Sequence, residues 1–165
     1  MIAAVNLTTG QAAMKYMSGA YLEGRQLTST MAAHIGLLRG LKYCRQHGWL
    51  NVHVAGDNDI VIRHYATRRA PRGKKLQGTY WITRRVADAV AVSSWRSVPR
   101  EYNATARALA HMARTTQVSM EWTELTTHRD GERWGAIRSK ATGDVARWLT
   151  DGPEAGSPQL ATSTV

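Results

Sequence analysis

Apolar residues recur along this chain with two different spacings, and each change of spacing marks an element. Ile2 to Leu7 is a short apolar run, and Ala13 to Leu22 alternates loosely, with Met14, Tyr16 and Ser18 set against Lys15, Met17 and Gly19. Both predict strands, joined by the turn Thr8-Thr9-Gly10. The polar turn Glu23-Gly24-Arg25-Gln26 closes the second. The period then becomes helical. Met31, Ile35, Leu38 and Leu41, flanked by Leu37 and Cys44, form one stripe. Thr28-Ser29-Thr30 offers N-cap hydroxyls at its start, and Gly48 is a stop at its end.

Asn51 to Ala55 predicts a short strand, and Asp57-Asn58 caps a short helix through Ile60, Val61 and Ile62. Thr67 to Gly73 is a basic loop broken by Pro71. Lys74 to Val92 has Leu76, Tyr80, Val86 and Val90 near one helical face. A brief strand over Ser94 to Val98, a connection over Pro99 to Tyr102 and an alanine-rich helix over Ala104 to Arg114 complete the pattern. The order β-β-α-β-α-α-β-α predicts an α/β domain over residues 1–114. Beyond Arg114 the pattern weakens, so 115–165 reads as a C-terminal extension, partly flexible, ending in DGPEAGSPQLATSTV. Its tryptophans, Trp122, Trp134 and Trp148, either dock on the domain or stack on bases, and docking is the commoner use of scattered tryptophan.

Composition narrows the setting. The 165 residues are 43% hydrophobic, enough for one domain with a core, and contain no Phe. The single cysteine, Cys44, excludes an internal disulfide and a Cys-based zinc site, which suits a reducing compartment. No apolar run approaches the roughly 18 residues of a membrane span, and no charged-then-apolar leader is present. The expectation is a soluble intracellular protein, of cytoplasm or nucleus, without a membrane partner.

Charge changes the picture more. The net charge is +10, but residues 1–114 carry 17 bases and five acids, a net +12, and the remainder carries −2. Arg63, Arg68, Arg69, Arg72, Lys74, Lys75, Arg84 and Arg85 fall in one run with no acid between them. Such a block is either a solvated face or a polyanion site, and nucleic acid is the default polyanion.

The stretch VHVAGDNDIVIRH, Val52 to His64, places Asp57 where a strand ends and a helix begins. That position suits a metal-assisted site and equally suits a helix cap. Two segments around it carry a resemblance. In residues 27–62 these are Thr28-Ser29-Thr30-Met31-Ala32-Ala33, Gly40-Leu41 and Gly56-Asp57-Asn58; in residues 98–113 it is Asn103-Ala104-Thr105-Ala106-Arg107-Ala108-Leu109-Ala110. In this order and at this spacing they resemble the type 1 ribonuclease H family, particularly its retroelement-derived, plant- or oomycete-style members. The resemblance spans about residues 2–114.

It implies a ribonuclease H-like mixed sheet with flanking helices. It also implies that the family's first strand is missing, leaving a mid-sheet slot for a neighbouring chain or for sequence upstream of Met1. The family's activity is hydrolysis of RNA–DNA hybrids by two divalent ions, usually magnesium, held by four carboxylates. Only Asp57 matches. The helix glutamate falls on Ala33, the final-helix aspartate falls on Arg107, and the first-strand aspartate has no counterpart. Asp59, His34 and Glu101 are the substitutes at hand. Asp57 is thus a lone catalytic and metal-binding remnant, no cofactor is expected, and Mg2+ matters only for residual activity.

Exchanging an acid for Arg107 also makes the site attractive to phosphate without metal. Arg107, Arg100 and the 63–85 block are therefore the expected contacts to an RNA–DNA hybrid or duplex, with little base specificity. Two alternatives stay open. One is an active ribonuclease with a reorganised site. The other is a non-catalytic interaction scaffold, with a homodimer formed through an open sheet edge.

Overall fold

A computed structural model describes residues 1–6, 8–23, 28–125 and 131–150, the side chains of 131–133 excepted. The expected tail beyond Thr150 lies outside the described residues. A hairpin opens the fold, with β1 at Ile2–Val5 and β2 at Ala12–Gly19 paired antiparallel. Its turn is built by Asn6, whose side chain accepts from the amides of Thr8 and Thr9, and by Gly10 at φ +67, a left-handed conformation that glycine adopts without strain.

Helix α1, Ser29–Gln46, is capped by Thr28, whose hydroxyl accepts from Met31 N at 3.2 Å. Strand β3 is His53–Gly56, α2 is Asp59–Ala66, α3 is Lys74–Ala89 and β4 is Ser94–Ser97. A 3-10 turn, Arg100–Asn103, leads into α4, Ala104–Thr116. Through α4 the order is the expected one, and the α/β fold is present with an antiparallel sheet, a parallel sheet and flanking helices. The buried stripe of α1 is His34, Leu41 and Cys44. A histidine thus takes the inward position that the apolar spacing assigned to Ile35.

The sheet is in two parts. Strands β1 and β2 belong to an antiparallel sheet, while β3 and β4 pair in parallel from His53 opposite Ser94 to Gly56 opposite Ser97. Among the described residues no ladder joins β1 to β3. Helix packing spans the interruption instead. Tyr43 of α1 stacks on Tyr16 of β2 at 3.9 Å, and Leu41, Cys44, Val86, Ala87 and Val90 form a cluster covered by Ile2, Val54 and Trp95. Side chains from β1, β3 and β4 therefore share one apolar layer beneath α1 and α3.

After α4 the described residues form two further elements. Strand β5, Met120–Thr123, adds to β2 antiparallel, and α5 runs over Gly131–Thr150. Trp122, Trp134, Ile137 and Ala141 pack with Met17 and Leu109 into a second cluster. Packing is thus the use made of Trp122 and Trp134. Gly19 closes β2 where α4 crosses it: an added Cβ would stand 2.6 Å from the Leu109 carbonyl oxygen, so only glycine allows that approach. Asp144 of α5 is 3% exposed and accepts from Thr105 N at 2.7 Å, satisfying an amide in the first turn of α4. No helix among the described residues is long and apolar enough to cross a membrane.

The third cluster centres on Tyr65, fully buried between Tyr80 and Trp95, with both ring centroids 5.0 Å away. Its hydroxyl lies 2.7 Å from Nδ1 of His34. Burial pushes the Tyr65 pKa up to about 12, and burial, followed by the nearby His64, lowers that of His34 from its ordinary 6.5. The unfolded chain therefore binds a proton at His34 that the native chain refuses. Stability is fully present above pH 6.5 and is lost as pH falls below it. Thermal melts across this window should show Tm falling with acidity, with a shallower fall in His34→Gln. Parallel curves for the two proteins would remove His34 from the account.

Candidate nucleic-acid interface

Strand β3 delivers Asp57 to its carboxyl end, directly after Gly56, whose carbonyl accepts from Val98 N at 3.0 Å. The helix that follows is capped by Asn58, whose side-chain oxygen accepts from Val61 N at 3.2 Å. Asn58, not Asp57, fills the cap, because it is the residue next to the first turn. Asp57 is held from the other side: its Oδ1 accepts from Asn103 Nδ2 at 2.7 Å. Asn103 stands at the N-cap of α4 but makes no side-chain cap bond, since Asp144 already serves that helix end. Its amide is free to reach the strand end.

Arg107 lies four residues after Asn103, on the same face of α4 and away from the buried stripe of Thr105, Leu109 and Ala113. Its side chain is exposed. Ala33 is half-buried against the cluster of Val61, Tyr65 and Tyr80, whose helix starts two residues past Asp57. Apolar packing thus occupies the place at which the resemblance puts a carboxylate.

The substitutes do not assemble around Asp57. His34 is buried on Tyr65, Asp59 pairs with Arg63, and Glu101 is exposed on the 3-10 turn. Among the described residues no three His, Cys, Asp or Glu side chains gather into a group able to hold a metal. These residues do not fit a two-ion site: the carboxylate present is bonded to an amide, and one expected partner is a permanent cation.

The basic run divides once folded. Arg63, Arg68, Arg69, Arg72, Lys74, Lys75 and Arg85 are exposed along the end of α2, the following loop and α3. Arg84 turns inward. Its side chain is 11% exposed, its guanidinium meets Asp88 at 2.6 Å, and it donates to the Tyr65 carbonyl at 3.0 Å. Arg63 pairs with Asp59, and Arg68 lies 3.6 Å from Asp88. The acids that meet the run come from just outside it, at i,i+4 spacing for Arg63 and Arg84, a signal the sequence already carried. The exposed pairs are weak enough to be exchanged for phosphate. Arg100 stands on the 3-10 turn that also supplies Asn103, and Arg107 stands on α4.

Sequence reasoning missed two residues. Asn103 enters the sequence only as part of a motif, yet it anchors Asp57. Asp144 fell in the stretch of weak pattern, although Trp134, Ile137, Ala141, Val145 and Trp148 recur there at helical spacing.

Comparison with known proteins agrees with this geometry. No curated protein and no solved structure matches the chain. The model of the reverse transcriptase-like family matches residues 10–113, well over half of the 165 residues, from the hairpin through α4. With its ribonuclease H-like α/β domain, the chain belongs to the reverse transcriptase-like family.

Proposed function

We propose that this is a nucleic-acid-binding ribonuclease H-like domain of retroelement origin, with RNA–DNA hybrid cleavage absent or much reduced. The observation that carries the reading is the environment of Asp57: its carboxylate accepts from Asn103, with Arg107 one turn further along α4 and apolar packing at Ala33. Two divalent ions need several oxygen ligands, and this set supplies one. The same set leaves positive charge where phosphate would lie. The exposed bases of α2 and α3, with Arg100 and Arg107, then neutralise backbone phosphates of a duplex or hybrid with little regard to sequence.

The test pairs binding with cleavage on one RNA–DNA hybrid. A gel shift is expected with no cleavage in Mg2+ or Mn2+, and Asp57→Asn should shift the hybrid as the parent does. Metal-dependent cleavage abolished by Asp57→Asn would instead establish a reorganised active site. A chain that shifts neither hybrid nor duplex would leave the scaffold reading in possession.

A further inference from the structure

The outer face of α3 carries an aromatic plane that the fold does not use. Helix α3 buries Tyr80, Thr83, Val86 and Ala87, and this face packs toward α1. The residue after Tyr80 is turned outward: Trp81 is 55% exposed, so much of its indole face meets solvent. It is not loose, because Tyr80 braces it edge-on at 5.1 Å and 76°. Lys74, Gly78 and Arg85 stand seven and three residues before it and four after it, all exposed on the same side of the helix. Nothing lies within 4 Å of where a Cβ on Gly78 would be, so the surface beside the indole is open. The acid of this helix, Asp88, is engaged by Arg84 and Arg68.

We infer that this face binds an unpaired nucleotide, its base stacked on Trp81 over the open ground at Gly78 and its phosphates on Lys74 and Arg85. The inference rests on the nucleic-acid reading above and deepens it. Stacking on an aromatic side chain needs a base whose π-face is free, and paired bases inside a duplex have theirs covered by neighbours. A single strand, or the frayed end of a duplex, offers both the free face and the backbone charge. The charge selects a polyanion over an apolar partner: an exposed Trp81 and Ile82 set among bases make a small apolar patch inside a cationic field.

The experiment measures binding of two labelled DNAs by fluorescence anisotropy at one salt concentration. One is a short oligothymidylate and the other a blunt hairpin duplex. Trp81→Ala should weaken the oligothymidylate complex by about tenfold, the effect of losing one stacked base, and change the duplex complex by less than about twofold. Gly78→Leu should act in the same direction by filling the open surface, and it strengthens helix propensity, so its effect cannot come from unfolding. Trp81→Tyr should keep most of the affinity. Equal losses on both DNAs, or none on the single strand, would overturn the inference. If the parent binds the duplex but not the single strand, the inference fails while the nucleic-acid reading stands. If the parent binds neither DNA, the two fail together.

Discussion

Raising salt from about 50 to about 200 mM should weaken duplex binding by roughly a thousandfold, if six phosphates are neutralised. Nine of the candidate bases are exposed: Arg63, Arg68, Arg69, Arg72, Lys74, Lys75, Arg85, Arg100 and Arg107. Each one that contacts a phosphate releases condensed counterion, so the logarithm of the affinity falls linearly with the logarithm of salt. Replacing one such base should lower the slope by about one, whatever the sequence of the duplex. Arg72→Gln and Arg84→Gln then separate surface from scaffold. The first should reduce the slope and leave the melting temperature alone. The second should leave the slope and lower the melting temperature, because Arg84 ties the carbonyl of Tyr65 to Asp88. A salt-independent affinity, or a slope untouched by every single replacement, would remove backbone phosphate as the ligand.

The largest effect on stability should come from Tyr65→Ala, about 3–5 kcal/mol. Tyr65 is fully buried, stacked on two rings and bonded to a buried histidine, and it packs against α1, α3 and β4 at once. A domain of this size is stable by about 5–15 kcal/mol, so the variant should unfold near the foot of a urea titration or fail to fold at 37 °C. Tyr65→Phe keeps the ring and removes only the hydroxyl that meets His34 and Thr83, for a smaller loss of about 1–3 kcal/mol. Urea midpoints for both variants check the order. A Tyr65→Ala protein within about 1 kcal/mol of the parent would mean that this aromatic cluster does not hold the helices.

Much of the molecule was legible from spacing alone. Strands β1 to β4 and helices α1, α3 and α4 follow from apolar period and end signals, since those report contacts within an element and toward one core; β5 and α5 do not. Tyr80, Val86 and Val90 face inward as their spacing requires. The concentration of positive charge in the first two thirds needs no structure at all. The inward turn of His34 was less visible, because a polar residue breaks an apolar stripe on paper while a single hydrogen bond to Tyr65 makes it acceptable in the core.

The site depended on contacts between residues far apart in the chain. Asn103 reaches Asp57 across 46 positions, and Asp144 reaches the amide of Thr105 across 39. Neither pairing leaves a periodic trace, because a polar bond between elements is set by how helices and strands are brought together. The division of the basic run has the same origin. Eight cations in sequence look alike until packing buries Arg84 against a carbonyl and an acid and leaves its neighbours in water. Local pattern therefore establishes the elements and the charge, and three-dimensional packing decides which of the charges and polar groups remain free to meet a ligand.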